Sequence, residues 1–285
     1  MTTATVPVSA RPRRRLAWLR GHGDLGLRLG LLLLAVLVLI GLVGPLLLPD
    51  PNATAAGQSL LPPGPDHLFG TDRYGRDLLA RTVAAIRLDL VLGIGVAVAA
   101  MLLGSLLGAV AGYLGGIVDE VVMRLTDALL AFPGFVLALM VVAFTGNSLV
   151  FMAIGVTIGS MPHFVRLARA RALSERELDY IPASKLAGSG NGGIIFGHIM
   201  PNTIGAPLIQ TTVTAGWAIL DIAALSFLGV GVQPPTAEWG TMISEGYSEI
   251  LTGKWWPAFF PGLFMLIAVL AFQLIGDGLS KWKNS

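Results

Sequence analysis

The chain has 285 residues, of which 54% are hydrophobic and 13% are charged, a composition too apolar for a soluble domain. Nineteen Lys and Arg residues stand against seventeen Asp and Glu residues, so the formal net charge is only +2. The lack of cysteine excludes disulfides and thiolate metal sites, and the four histidines (His22, His67, His163 and His198) show no metal-ligand spacing. We therefore expect no metal site, no cofactor held by this chain and no nucleic-acid partner.

Long stretches without a charged residue account for the apolar composition. The first, Leu29 to Leu48, would be about 30 Å long as a helix, which matches the hydrocarbon core of a bilayer. Further charge-free stretches occupy 90–118, 128–165, 199–220 and 255–276. The stretch 128–165 is too long for one span, and Gly146-Asn147-Ser148 predicts a turn within it. We predict an all-α polytopic membrane protein with six transmembrane helices.

The predicted segments follow from these stretches in chain order. A basic tail suited to anionic lipid headgroups comes first. The first apolar stretch exceeds the usual core of about 7–15 residues in a secretory signal, so we predict a retained span rather than a cleaved leader. The predicted order is a tail at 1–24, a transmembrane helix at 25–48, an outer loop at 49–89, a five-helix core at 90–280 with an inner loop at 172–198 and an outer loop at 229–254, and a tail at 281–285.

The outer loop at 49–89 has two parts of different composition. The first is rich in proline and glycine and predicts irregular structure. The second, TDRYGRDLLARTVAAIRLDL, predicts a helix that enters the membrane, with Thr71 or Asp72 as its N-cap.

Orientation is predicted from the distribution of basic residues. With both termini inside, fourteen of the nineteen Lys and Arg residues lie on the inner side and five on the outer side. The polar loop around residue 180 is then cytoplasmic, and we expect its partner to be cytoplasmic too.

A stripe of small residues marks the second span. Gly104, Gly108 and Gly112 recur every four residues, a spacing that lets helix backbones approach closely in lipid. The stripe favours either an interface with another subunit or ordinary packing within the chain, and the sequence leaves both open.

The inner loop is the most polar segment between two apolar stretches. Ser174 and Glu177 match a capping box, which predicts a short helix from Glu175. Pro182 suits the first turn of a second short helix, and Gly188 suits its left-handed end. Two such helices would form a knob able to fill a groove on another protein.

The chain has no G-x-x-x-x-G-K-[ST] motif, so we do not expect it to bind ATP by that route.

One helix face predicts a polar path through the membrane. Gln210, Thr214, Trp217 and Asp221 are spaced by four, three and four residues, which places them on one side of a helix. An ionised side chain at mid-bilayer costs about 2.5–3.5 kcal/mol, so Asp221 should face protein or water. The stripe either lines a translocation path or forms a polar seam against a neighbouring helix, or Asp221 lies nearer the outer interface.

The inner loop resembles the "EAA" loop of ABC importer permeases. In YIPASKLAGSGNGGIIFGHIMPN, Ala183 matches the first alanine, Gly188 the glycine, and Pro201 the proline thirteen residues further on. Pro182 stands in place of the glutamate and Ser184 in place of the second alanine. Four more segments resemble the second permease of dipeptide and oligopeptide importers: FGTDRYGRDLLART, DALLAFPGFVLAL, LSFLGVGVQPPTAEWGTMISEG and GDGL.

The resemblance implies a type I ABC importer permease of the bacterial plasma membrane without catalytic activity. It implies a sister permease as the other half of the pore, two ATPase subunits that bind ATP and Mg, an extracytoplasmic binding protein and a peptide in transit. Dipeptides, oligopeptides, glutathione and nickel complexes remain alternative cargoes. The loop residues implied to contact an ATPase are Tyr180, Ile181, Pro182, Ala183, Ser184, Lys185, Gly188 and Pro201.

The outer loop after residue 229 is a candidate docking site for the binding protein. Its candidate residues are Glu238, Trp239, Glu245 and Glu249, although exposed acids can also be plain solvated surface.

Two other classes of protein compete with this interpretation. An intramembrane serine protease using Ser160 and His163 would need an oriented acid and a G-x-S-x-G context, and the sequence shows neither. A stand-alone secondary transporter would need buried ionisable pairs or broken helices repeated in two halves, which Asp221 alone does not supply.

Overall fold

The computed structural model describes the backbone of residues 17–283 and the side chains of 25–282, and it confirms the all-α prediction. Most of the 1–24 tail prediction lies outside the described residues, although the first helix already begins at Ala17. The helices are α1 Ala17–Leu47, α2 Leu78–Leu114, α3 Gly116–Leu130, α4 Gly134–Thr145, α5 Leu149–Glu175, α6 Tyr180–Leu186, α7 Asn191–Ile194, a π-helical turn Ile195–Ile199, α8 Met200–Thr203, α9 Gly205–Phe227, α10 Trp239–Ile250 and α11 Trp256–Lys283.

Five of the described helices are long and apolar enough to cross a membrane, and α3 with α4 adds a sixth if the bent pair is one span. These two helices meet at an angle of 92°. Pro133 caps α4, and a proline there disfavours a continuous helix through the preceding residue. The six-span prediction therefore agrees with the structure when the bent pair is counted as one broken span. The predicted turn at 146–148 is confirmed, since α5 begins after it with Ser148 as N-cap.

The entry into α2 differs from the prediction. Asp77 is the N-cap, its Oδ1 accepting the Ala80 N–H at 2.8 Å. Asp72 instead accepts the backbone N–H groups of Tyr74 and Arg76 and closes a turn. The predicted cap at Thr71 or Asp72 was wrong, because the Asp72 carboxylate bonds the backbone N–H groups of a turn that lies six residues before the helix begins.

The inner loop also differs in detail. Ser174 lies in the last turn of α5 and its Oγ donates to the Ala170 carbonyl at 3.4 Å, so the predicted capping box does not form. The short helix α6 begins at Tyr180 with Pro182 in its first turn. Gly188 follows at φ +87°, the left-handed conformation predicted for the helix end.

The glycine stripe packs within the chain. A Cβ on Gly108 would lie 2.3 Å from the Val165 carbonyl oxygen of α5, and one on Gly104 would lie 2.7 Å from the Met161 oxygen. Glycine at these positions therefore permits the close approach of α2 and α5. Of the two interpretations, packing inside the chain is confirmed.

Helix α2 connects the two ends of the bundle, called here the α6 end and the α10 end. Near its start, Asp89 accepts the backbone N–H of Trp239 at 3.2 Å. At its last turn, the Tyr113 hydroxyl donates to the Asn191 side chain at 3.3 Å. The main core lies around the first half of α2, where α1, α9, α10 and α11 surround it. A smaller cluster at the α6 end fixes the inner loop.

Candidate functional site

A cavity of about 430 Å³ lies beside the bend between α3 and α4. Helices α5 and α9 form its other walls. Its lining comprises Leu129, Leu130, Phe132, Gly134, Gly159, Ser160, His163, Gln210, Thr214, Trp217 and Asp221. We call it the polar cavity.

All four residues predicted on the polar face of α9 line this cavity. Thr214 is buried, Gln210 and Asp221 are half-buried, and Trp217 is 57% exposed. The regular helix from Gly205 to Phe227 brings them together, as the sequence spacing predicted. The structure thus places the four side chains at one space that no described helix of this chain fills, and its use as a path stays a prediction.

Ser160 and His163 lie on the α5 wall of the same cavity. Within the described part of the chain, no hydrogen bond joins Ser160 to His163 or His163 to Asp221. A serine nucleophile needs a base within hydrogen-bond reach and a third group that orients the base. The three side chains share a space but do not form a catalytic relay.

A second cavity, of about 390 Å³, has an apolar lining. Gly134 lines the polar cavity and Phe135 lines this one, while Asp221 lines the first and Leu220 the second. Ala224 and Leu228 of the second lining follow Asp221 by three and seven residues on the same face of α9, so the two cavities are neighbours along this helix. We call the second the apolar cavity; the rest of its lining is Ala223, Phe227, Gly240, Ile243 and Met265.

The inner loop is anchored through one side of α6. Ile181 is 1% exposed and packs in the cluster with Tyr113, Ala172 and Ile199. Burial of such a side chain is worth roughly 1.5–3 kcal/mol, which holds the helix on the ends of α2 and α5. The loop is therefore a fixed feature of the fold.

The other side of α6 faces outward. Leu186 is 91% exposed, and Pro182, Ala183 and Lys185 are exposed beside it. Gly188 has no atom near its missing Cβ, so only its backbone conformation requires glycine. This face of α6 is therefore open to contact with another molecule.

Polar contacts brace this loop. Tyr180 donates to Glu175 and accepts from the Asn202 amide at 3.0 Å; burial and the Glu175 contact raise the pKa of its hydroxyl. Ser184 lies 3.3 Å from the His198 Nε2. The Lys185 ammonium lies 5.2 Å from the centre of the Tyr113 ring. Pro201 is exposed, at the start of the segment that leads into α9.

Two of the four candidate docking residues turn inward. Glu238 is fully buried and caps α10, its carboxylate accepting the N–H groups of Gly240 and Thr241. Trp239 is also fully buried and its Nε1 donates to the Thr82 carbonyl at 3.1 Å. Both side chains hold the loop together, so their prediction as a docking surface is corrected. A helix cap and an exposed acid look alike in sequence.

The two remaining candidates differ from each other. Glu245 accepts from the Arg76 guanidinium at 2.8 Å and is only 12% exposed. Glu249 is half-buried at the α10 end. Glu249 therefore stays a candidate for docking, whereas Glu245 is occupied within the chain.

A charged network at the α10 end was not anticipated from the sequence. Arg76 pairs with Asp72 at 2.5 Å as well as with Glu245. Arg81 is 1% exposed, and its Nη1 donates to the carbonyls of Pro51 and Pro235 and to Asn52. The alternating charges around residue 76 could have indicated ion pairs in this segment. They could not indicate that Arg76 pairs with Glu245, which is 169 residues away.

Glu238 also belongs to a buried pair of acids. Burial raises the pKa of Glu238, although the Thr241 and Gly240 amides counteract this shift. Asp89 of α2 lies beside it, with its Oδ1 buried. Two adjacent carboxyl groups in such a site repel each other when both are ionised, so the pair is a costly feature of the fold.

Among the side chains of residues 25–282, no group of three or more His, Asp or Glu is placed to hold a metal ion. The two cavities and the exposed face of α6 are therefore the candidate functional features of the described residues.

An all-α polytopic bundle with a polar cavity beside broken helices is an architecture typical of membrane transport proteins. The chain belongs to the family of binding-protein-dependent transport system inner membrane components, whose family model matches residues 104–284.

Named relatives cover nearly the whole chain. The dipeptide transport system permease protein DppC of Alkalihalophilus pseudofirmus is 41% identical over 88% of this chain and 82% of its own length. The di/tripeptide transport system permease protein DppC of Pseudomonas aeruginosa is 40% identical over 90% of this chain and 88% of its own. The dipeptide transport system permease protein DppC of Haemophilus influenzae is 36% identical over 96% and 95%.

Proposed function

We propose that this chain is one of two permease subunits of an ATP-driven importer of dipeptides or short oligopeptides. The observation that carries the proposal is the 40% identity to a di/tripeptide permease across 90% of the chain. Two ATPase subunits that bind ATP and Mg, a sister permease and an extracytoplasmic binding protein complete the complex. The chain itself performs no chemistry.

The exposed face of α6 is the proposed contact with an ATPase. Ile181 fixes the helix to α2 and α5, and the Lys185 ammonium lies over the Tyr113 ring on that same face. Ala183 and Leu186 are exposed on the opposite side. A displacement of this face would also displace α2 and α5, which pack together along the glycine stripe. The loop can therefore transmit a displacement to α5, which borders the polar cavity through Gly159, Ser160 and His163.

This role requires the α6 end to be cytoplasmic and both termini to lie inside. The excess of basic residues on that side supports this orientation. The α10 end would then face the binding protein, with Glu249 and the exposed Leu251 at its surface.

The polar cavity is the proposed part of the translocation path within this chain. It lies at the break between α3 and α4, and half-buried polar side chains of α9 face it. Ionisable residues in membrane proteins generally face such spaces and mark transport pathways.

The test of the proposal is reconstitution. The full complex, purified with its partner subunits and receptor, is placed in proteoliposomes and supplied with ATP and a radiolabelled dipeptide such as Ala-Phe. We expect uptake that depends on both ATP and receptor. Uptake by this chain alone, without an ATPase, would refute the proposal and favour a secondary transporter.

Variants in the inner loop test the coupling. Gly188→Leu forces a branched side chain into a left-handed conformation at a cost of about 1–2 kcal/mol and distorts the end of α6. We expect it to reduce ATPase retention and transport more than Pro182→Ala does. Gly253→Leu is the matched control, because Gly253 has φ +81° and equally open space at the α10 end. Equal ATPase retention by the two leucine variants would contradict the coupling role.

A further inference from the structure

Asp221 is an acid in a membrane-spanning helix without a partner in the described part of the chain. None of the hydrogen bonds or ion pairs among residues 25–282 includes its carboxylate. Asp89 of α2, in contrast, accepts a backbone N–H and faces a second carboxyl group. Asp221 is instead half-buried at the wall of the polar cavity.

The groups around Asp221 suit a cation. Neither lysine nor arginine lines the cavity, so no fixed positive charge in its described wall neutralises the carboxylate. Trp217 lies one turn before Asp221 on the same face of α9, and Phe132 lines the cavity from the α3–α4 bend. An ammonium group gains from both an acid and an aromatic face, whereas an anion gains from neither.

The adjoining apolar cavity indicates that the ligand also carries an apolar group. It begins at Leu220 and Phe135, next to Asp221 and Gly134. A molecule with its positive group at Asp221 can therefore place an apolar side chain about 5–10 Å further along α9, beside Ala224 and Leu228. A peptide with a free amino terminus and an apolar residue has this arrangement.

We propose that Asp221, with the Trp217 ring, forms a transit site for the protonated amino terminus of the peptide. This inference rests on the proposed function, since it assigns a chemical group of the cargo to a residue on the path. The site favours cationic and zwitterionic peptides over those with a blocked amino terminus.

A thiol-reactivity test examines the charge of the cavity without any partner subunit. Because the chain has no cysteine, Ser160→Cys introduces a single thiol of similar size at the cavity wall. Its reaction rates with a trimethylammonium and a sulfonate methanethiosulfonate are measured on the purified chain in nanodiscs. The cation-to-anion rate ratio should fall about tenfold when Asp221→Asn is added, which corresponds to about 1.4 kcal/mol.

Two further variants control this measurement. Thr214→Val changes the polarity of the same wall without changing its charge, and it should leave the rate ratio within about twofold. Asp221→Glu should restore most of the ratio. An equal ratio in the presence and absence of Asp221 would overturn the proposal.

An import test examines the peptide group itself. Ala-Phe and N-acetyl-Ala-Phe are compared in the reconstituted complex with the same receptor, so that receptor preference cancels in the ratio of wild-type to variant rates. Asp221→Asn should slow import of Ala-Phe about tenfold, as in the thiol test, and that of the acetylated peptide less than twofold. Equal slowing of both peptides, or of neither, would refute the assignment to the amino terminus.

The two failures can be told apart. If the wild-type complex imports no peptide, the proposed function fails whatever the thiol ratio shows. If it imports peptides and the ratios do not depend on Asp221, only the transit site fails.

Discussion

The contact between α2 and α5 yields a quantitative prediction from two glycines on one helix. Gly108 faces α5, and a Cβ there would lie 2.3 Å from the Val165 carbonyl oxygen and 2.9 Å from the Arg169 nitrogen. Ordinary carbon–oxygen contacts are about 3.3–3.6 Å, so the helices would have to separate by about 1 Å. Gly95 lies on the same helix with open space around it.

The comparison of Gly108→Ala with Gly95→Ala isolates the free-energy cost of overpacking the contact between α2 and α5. Alanine gains about 1 kcal/mol in helix propensity at either position, so this gain cancels between the two variants. Overpacking costs about 1–3 kcal/mol and applies only at Gly108. The Gly108→Ala variant should therefore unfold more easily than Gly95→Ala by about 1–3 kcal/mol.

The assay is unfolding of the detergent-purified chain in increasing SDS, followed by tryptophan fluorescence and circular dichroism. Gly95→Ala should be as stable as the wild type or more stable. If both alanine variants unfold at the same SDS fraction, the glycine stripe does not determine the spacing of α2 and α5, and the proposed transmission through this contact would lose its support.

Three further predictions concern the two ends of the bundle. Ile181→Ala should cost about 2–5 kcal/mol in the same unfolding assay because the side chain is 1% exposed, whereas Leu186→Ala should leave stability unchanged and weaken copurification of the ATPase. Asp89→Ala removes the acceptor of the Trp239 N–H and should cost about 1–3 kcal/mol, whereas Asp89→Asn keeps an acceptor and should cost less. Arg81→Met removes the donor of both outer-loop carbonyl contacts while keeping a long side chain, so limited proteolysis should cleave those loops faster than in the wild type.

The helical character and the span positions could be predicted from the sequence because long charge-free stretches have few alternatives in lipid. The turn at 146–148 was predicted for the same reason, since one span cannot hold the whole stretch from 128 to 165. The break at Pro133 was missed. The apolar composition continues across it, and only the proline marks the change of direction.

The candidate site could also be predicted from the sequence only in part. The four polar residues of α9 could be predicted to lie together because helix periodicity alone sets their face. Their neighbours on α3, α4 and α5 depend on tertiary packing, which no local pattern encodes. Glu238 and Trp239 were misassigned because an acid and an indole can serve a buried cap as readily as an exposed surface.

The network of Arg76, Asp72 and Glu245 constrains how this permease can be recombined with its relatives. The network joins the segment before α2 to α10, and Arg81 ties both to the outer loops. A chimera that exchanged only the α10 region would leave two buried guanidinium groups facing foreign residues. Engineers who want to graft a new receptor-facing surface should therefore move residues 50–81 and 229–254 as a single module.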